Sequence, residues 1–135
     1  LFISDHRTLL KYLDLLEKAE VINTLSQNAK DSIIMQKPDK IYLGNTNYFF
    51  GLNLSGEEPG TIRKTFFESQ LNVGYQLKLP VKGDFMVNNK YTFEIGGKNK
   101  SNHQIKDLNN AWFVLDDIEN GIFKRIPLWL FGFLY

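Results

Sequence analysis

The chain has 135 residues, 43% of them hydrophobic, with eleven Phe, six Tyr and two Trp. That is material for one compact domain with room for a small neighbour at one end, and it excludes both disorder and two full domains. The absence of cysteine excludes disulfides, zinc ribbons, iron–sulfur clusters and thiol catalysis, and it fits a reducing compartment, so a cytoplasmic location is expected. Sixteen basic residues against fifteen acidic ones leave a net charge of +1, too little for a global attraction to nucleic acid or anionic membrane. The chain starts at Leu1 without a signal-like apolar run, and it reads as a soluble piece from the C-terminal end of a larger protein.

In chain order, residues 4–19 carry the first helix. Ser4 or Asp5 serves as N-cap, and Leu9, Leu10, Leu13 and Leu16 form its apolar stripe. Val21–Leu25 alternates like a strand, Ser26–Asp31 is turn-prone, and Ser32–Met35 is apolar again. This order of helix, strand, turn and strand matches the end of a winged helix. Lys37-Pro38-Asp39-Lys40 breaks the pattern, because proline cannot donate to a ladder and holds its predecessor extended. A boundary is expected there, dividing residues 1–36 from 37–135.

Ile41–Leu43 then reads as a short strand, and Asn45-Thr46 caps a brief helix through Leu52. Thr61 is the expected cap of a second long helix, whose broad apolar face of Ile62, Phe66, Phe67, Leu71 and Val73 marks it as central. Beyond Gly74 the period changes to two. Strands are expected at Gln76–Leu79, Gly83–Val87, Tyr91–Ile95 and Ala111–Leu115, with a short helix near Asn102–Leu108. The final Leu128–Tyr135 run is far shorter than the roughly 20 residues of a spanning helix. It is expected as a buried terminal strand or a docking edge, with no membrane partner.

Residues 83–98 carry the most chemical information. A two-residue turn at Asn88-Asn89 would set Asp84 against Phe93 and mix polar with aromatic groups on both faces. A three-residue turn pairs Val87 with Tyr91, Phe85 with Phe93 and Asp84 with Glu94, making one face wholly apolar. Each aromatic exposed by a slip forfeits about 1.5–3 kcal/mol, so the second register is preferred. It sets two carboxylates across one ladder, an arrangement that calls for a metal ion, a basic partner or one raised pKa. A divalent cation held by such a pair activates water for phosphodiester cleavage.

This hairpin, following the helix that bears Glu68, resembles the restriction-endonuclease-like fold. Through Thr8–Val21, Lys37–Leu43, Gly60–Leu71, Gly83–Lys100 and Ile126–Tyr135, the chain resembles the C-terminal module of bacterial AAA-type ATPases, a family with a winged helix between its ATPase and nuclease-like parts. The resemblance implies an α/β fold, a restriction-endonuclease-like mixed sheet flanked by helices, preceded by a partial winged-helix segment. It implies Asp84 and Glu94 as catalytic, metal-binding acids for Mg²⁺ or Mn²⁺, with Glu68 as a helical acid. The usual lysine two residues after the glutamate is replaced by Gly96, and Lys98 could take its role only if Gly96-Gly97 bulges the strand. A degenerate nuclease fold serving as scaffold or interface is therefore expected, with ATP bound only in a region outside this sequence.

Plainer readings stand beside these. Asp84 and Glu94 could be exposed strand residues offset by Lys82, Lys98 or Lys100, and Glu68 an i,i+4 partner of Lys64. Gly97-Lys98-Asn99 is no phosphate loop, since that motif needs glycine at Thr92 and a hydroxyl at Asn99. Arg7 and Lys11, with Lys18 nearby, are candidate DNA contacts if the first helix is a recognition helix. Lys100 and Lys106, with Lys98 and His103, form the most basic short stretch, a candidate path for a phosphate backbone, for which a solvated loop is the commoner explanation. His6 and His103 lack a second ligand at zinc spacing. Asp116, Asp117 and Glu119 read as a polar turn. The expected function is a non-catalytic accessory or binding module, contacting nucleic acid or protein. The alternatives are a metal-dependent nuclease and a module that self-associates or docks a partner through its apolar C-terminus.

Overall fold

A computed structural model describes residues 5–27, 36–54, 56, 58–101 and 104–134. The first helix, α1, spans His6–Lys18 and is capped by Asp5, whose Oδ1 accepts the Arg7 N–H at 3.0 Å. Its leucine stripe is less buried than its spacing suggests: Leu10 is enclosed, while Leu9 and Leu16 remain 38% and 41% exposed. Strand β1, Ile22–Leu25, is tied back to α1 by Glu17, whose Oε1 accepts from both the Thr24 N–H and hydroxyl.

β1 pairs antiparallel with β2, Lys40–Leu43, in the register Ile22↔Leu43 to Leu25↔Lys40. The pairing runs across the Lys37-Pro38 break, and the strand expected at Ser32–Met35 lies outside the described residues. Gly44 lets β2 leave α1 closely, because a Cβ there would lie 2.1 Å from the Glu20 carbonyl oxygen. A short helix α2, Asn47–Gly51, follows. The long helix α3, Pro59–Leu71, begins two residues before the expected Thr61 cap. Pro59 fits the first turn because its missing N–H has no intrahelical partner there.

The main sheet has five strands in the order β3-β4-β5-β6-β7: Leu77–Lys78, Phe85–Val87, Tyr91–Gly96, Ala111–Leu115 and Arg125–Pro127. The first three are antiparallel neighbours, and β5, β6 and β7 run parallel, so the sheet is mixed. The β4–β5 register is Val87↔Tyr91 and Phe85↔Phe93, as the aromatic pattern requires. Asn88 and Asn89 turn the chain with left-handed φ of 51° and 56°, a conformation asparagine tolerates better than most residues.

One sheet face carries Phe85, Val87, Ile95 and Val114 against Phe67 and Leu71 of α3, with Leu25 and Tyr42 of the small sheet in the same core. Phe67 is its hub, with ring centroids 5.2 Å from Phe85, 5.3 Å from Phe93 and 4.8 Å from Phe131. The opposite face carries Ala111, Phe113 and Leu115 under Ile105, Leu108 and Ile118. The helix expected near Asn102–Leu108 lies partly outside the described residues, and residues 104–107 cover that face as turns.

The C-terminal run also differs from expectation. Leu128–Phe133 is a 3₁₀ helix with Leu128 and Phe131 buried, while β7 takes the terminal ladder position. The i,i+3 spacing of the two buried residues suits the three-residue turn of that helix, and Pro127 cannot donate to a longer ladder. Val73, expected on the apolar face of α3, lies beyond its end and is 75% exposed.

Candidate functional site

Asp84 stands at the mouth of β4, where it completes the ladder with its side chain. Its N–H donates to the Phe93 carbonyl at 2.9 Å, and its Oδ2 accepts the Ile95 N–H at 2.9 Å. The other carboxylate oxygen meets Lys64 Nζ of α3 at 2.6 Å. Only 6% of Asp84 is exposed, so it is a buried acid anchored by main chain and ammonium together.

Glu94, one residue from Phe93 on β5, points to the other face, where its cross-strand neighbour is Phe113. It is 1% exposed and pairs with Lys100 Nζ at 2.7 Å. With its amide NH₂ turned to the carboxylate, Gln104 donates to both Glu94 oxygens at 2.9 and 3.0 Å. Lys100 returns because the chain reverses at Gly97–Lys100, closed by the Lys100 N–H to the Gly97 carbonyl at 2.9 Å. Its stem then crosses Gly96, where a Cβ would lie 2.7–2.8 Å from Lys100 Cβ, Cγ and Cδ. Glycine at this position is what admits the lysine.

Glu68, fully buried on α3, accepts from Asn23 Nδ2 of β1 at 2.7 Å. Beside it, Tyr42 of β2 is 8% exposed, and its hydroxyl is pushed well above the ordinary phenol range by burial first, then by Asp84 and Glu68. Asp84, Glu68 and Tyr42 thus share the α3 side of the sheet, whereas Glu94 belongs to the other side.

The sequence places Asp84 opposite Glu94, but the paired register stops at Phe85↔Phe93. Asp84 donates its N–H to the Phe93 carbonyl and turns to Lys64 on the α3 side, while Glu94 pairs with Lys100 on the other face. Neither is an exposed strand residue. Of Lys82, Lys98 and Lys100, the lysine that reaches Glu94 is Lys100, while Lys98 sits exposed in the turn. Lys64, read as a helix partner of Glu68, makes its ion pair with Asp84. Arg7 and Lys11 are exposed on α1, Lys100 is committed to Glu94, and Lys106 lines a cavity beside Phe113. His103 lies outside the described residues. Arg63 of α3 was not singled out by the sequence, yet it pairs with Asp116 at 2.9 Å and reaches Asp117 at 3.9 Å. The available signal was the Asp116-Asp117 doublet at the end of a parallel strand, where α3 can reach it.

As arranged, both candidate ligands already hold an ammonium, and among the described residues no three His, Cys, Asp or Glu side chains converge on one point. Among the described residues no helix is long and apolar enough to cross a membrane. Fold and site thus define a mixed α/β protein with lysine-neutralised acids on both faces of its sheet. Comparison with protein-family models, curated proteins and solved structures finds no match.

Proposed function

We propose that this chain is a cytoplasmic accessory module of an AAA-type ATPase, a restriction-endonuclease-like sheet preceded by the end of a winged helix, whose acids hold the fold while its surface contacts nucleic acid or protein. One observation carries the reading: Asp84 and Glu94 are each buried against their own lysine, Lys64 and Lys100. A metal recruited by either carboxylate would have to compete with an ammonium that already neutralises it. The mixed sheet and the helix bearing Glu68 support the fold assignment. ATP is expected to bind in a region outside this sequence.

The competing reading is a metal-dependent nuclease with Asp84 and Glu94 holding Mg²⁺ or Mn²⁺ and Glu68 assisting. Isothermal titration with Mn²⁺ separates the two. The accessory reading expects no saturable uptake by the wild-type protein. Stoichiometric uptake that is lost in Asp84→Ala, together with cleavage of DNA, would establish the nuclease instead.

A further inference from the structure

A cavity of about 510 Å³ opens on the face of the sheet away from α3. Its floor is apolar, made by Ile105 and Phe113. One wall is the turn Ile122–Arg125, closed by the Arg125 N–H to the Ile122 carbonyl at 3.1 Å. Cations rim it: Lys106, Lys124 and Arg125, with no acidic side chain among its described lining. Lys124 is fixed there by donating to the Leu108 and Asn109 carbonyls at 2.9 and 3.3 Å, which uses two of its three N–H donors.

Phe123 is the unusual residue of this wall. Its backbone is left-handed, φ 54°, at a turn position where glycine is the ordinary choice, and its ring is completely exposed. Folding alone gives no reason for a phenylalanine there, because the ring touches no core and the backbone is strained. A flat aromatic face held out beside an apolar pocket, ringed by positive charge, suits a ligand that is planar and anionic at once. Aromatic platforms beside cations are how single-stranded nucleic acids are gripped without reading sequence.

We infer that this cavity binds single-stranded nucleic acid, stacking a base on Phe123 and placing adjacent phosphates on Lys106, Lys124 and Arg125. The inference rests on the contact-module reading and names its partner. It uses neither Asp84 nor Glu94, so the Mn²⁺ titration tests the module reading independently.

Fluorescence anisotropy with a labelled oligothymidylate is the test. Wild-type protein should bind, with log affinity falling against log salt at a slope of roughly −2, since each neutralised phosphate on a single strand contributes about −0.7. Phe123→Ala should weaken binding about ten-fold, the scale of one lost stacking contact. Phe123→Gly should weaken it equally while raising the melting temperature, which separates lost stacking from damage to the fold. Lys106→Glu should weaken binding and flatten the salt slope. Absence of binding, or binding indifferent to Phe123→Ala and Phe123→Gly, overturns the inference. So does an aromatic, acidic peptide that binds more tightly than the oligonucleotide and depends on Phe123, because the partner is then a protein.

Discussion

Gly96 decides whether Glu94 keeps its lysine. A methyl group there would occupy the path of the Lys100 stem. Gly96→Ala is therefore expected to expel Lys100 and leave a buried, underpaired carboxylate, at a cost of about 2–4 kcal/mol, below the full penalty of a broken buried pair because Lys100 is itself partly exposed. Urea denaturation measures this, and Gly96→Ala combined with Glu94→Gln should recover part of the loss. Equal destabilisation with and without Glu94→Gln would mean that the methyl clash acts elsewhere. Tyr42 supplies a pH test. Its folded-state ionisation is raised, so its contribution to stability is complete below the ordinary phenol pKa of about 10 and is lost as pH rises beyond it. Wild-type protein should lose more stability between neutral and strongly alkaline pH than Tyr42→Phe does, read from the difference in urea midpoints. Parallel curves would show that this hydroxyl ionises no less readily in the fold than in the unfolded chain.

Among the elements, what local chemistry dictates was readable and what distant partners dictate was not. The Asp5 cap and the aromatic alternation of the β4–β5 hairpin lie within a few residues of what they determine, and both match the structure. β7 escaped because Arg-Ile-Pro carries no alternation of its own and is a strand only through parallel pairing with β6. The C-terminal run escaped because a continuous apolar stretch has no visible period, so strand and 3₁₀ helix look alike. In the candidate site, the Phe85↔Phe93 register was readable, but Asp84 leaves that ladder and does not share a face with Glu94. Their separation depends on Lys64, twenty residues before Asp84, and on a turn that delivers Lys100 in place of Lys98. The 3₁₀ assignment has its own test. Phe131 packs on Phe67 and Phe93, whereas Phe133 is 77% exposed. Phe131→Ala should cost about 3–5 kcal/mol, while Phe133→Ala should stay within about 0.5 kcal/mol. A strand would have put both rings on the same face, with similar losses.

For the whole molecule, the sheet is covered on both faces, yet apolar side chains remain at its margins. The 3₁₀ helix presents Leu130 and Phe133 outward, with Trp129 half-exposed and donating its Nε1–H to the Ile118 carbonyl at 3.3 Å, while Leu128 and Phe131 anchor it, so Leu130 and Phe133 can be altered without disturbing the core. Trp129 and Phe133 pack edge to face, with centroids 6.1 Å apart, forming a small ordered patch. A net charge of +1 offers little repulsion between copies. Such a patch on a nearly neutral protein favours association, and wild-type protein is expected to gain mass in light scattering as concentration rises. Removing the whole segment would confound the measurement, because Phe131 would leave the core with it. Leu130→Ser with Phe133→Ser keeps both anchors and the Trp129 Nε1–H to the Ile118 carbonyl, and should hold the protein at monomer mass with a stability in urea within about 0.5 kcal/mol of wild type. A wild-type mass that stays monomeric across the same concentrations would assign the C-terminal helix to closing the core alone.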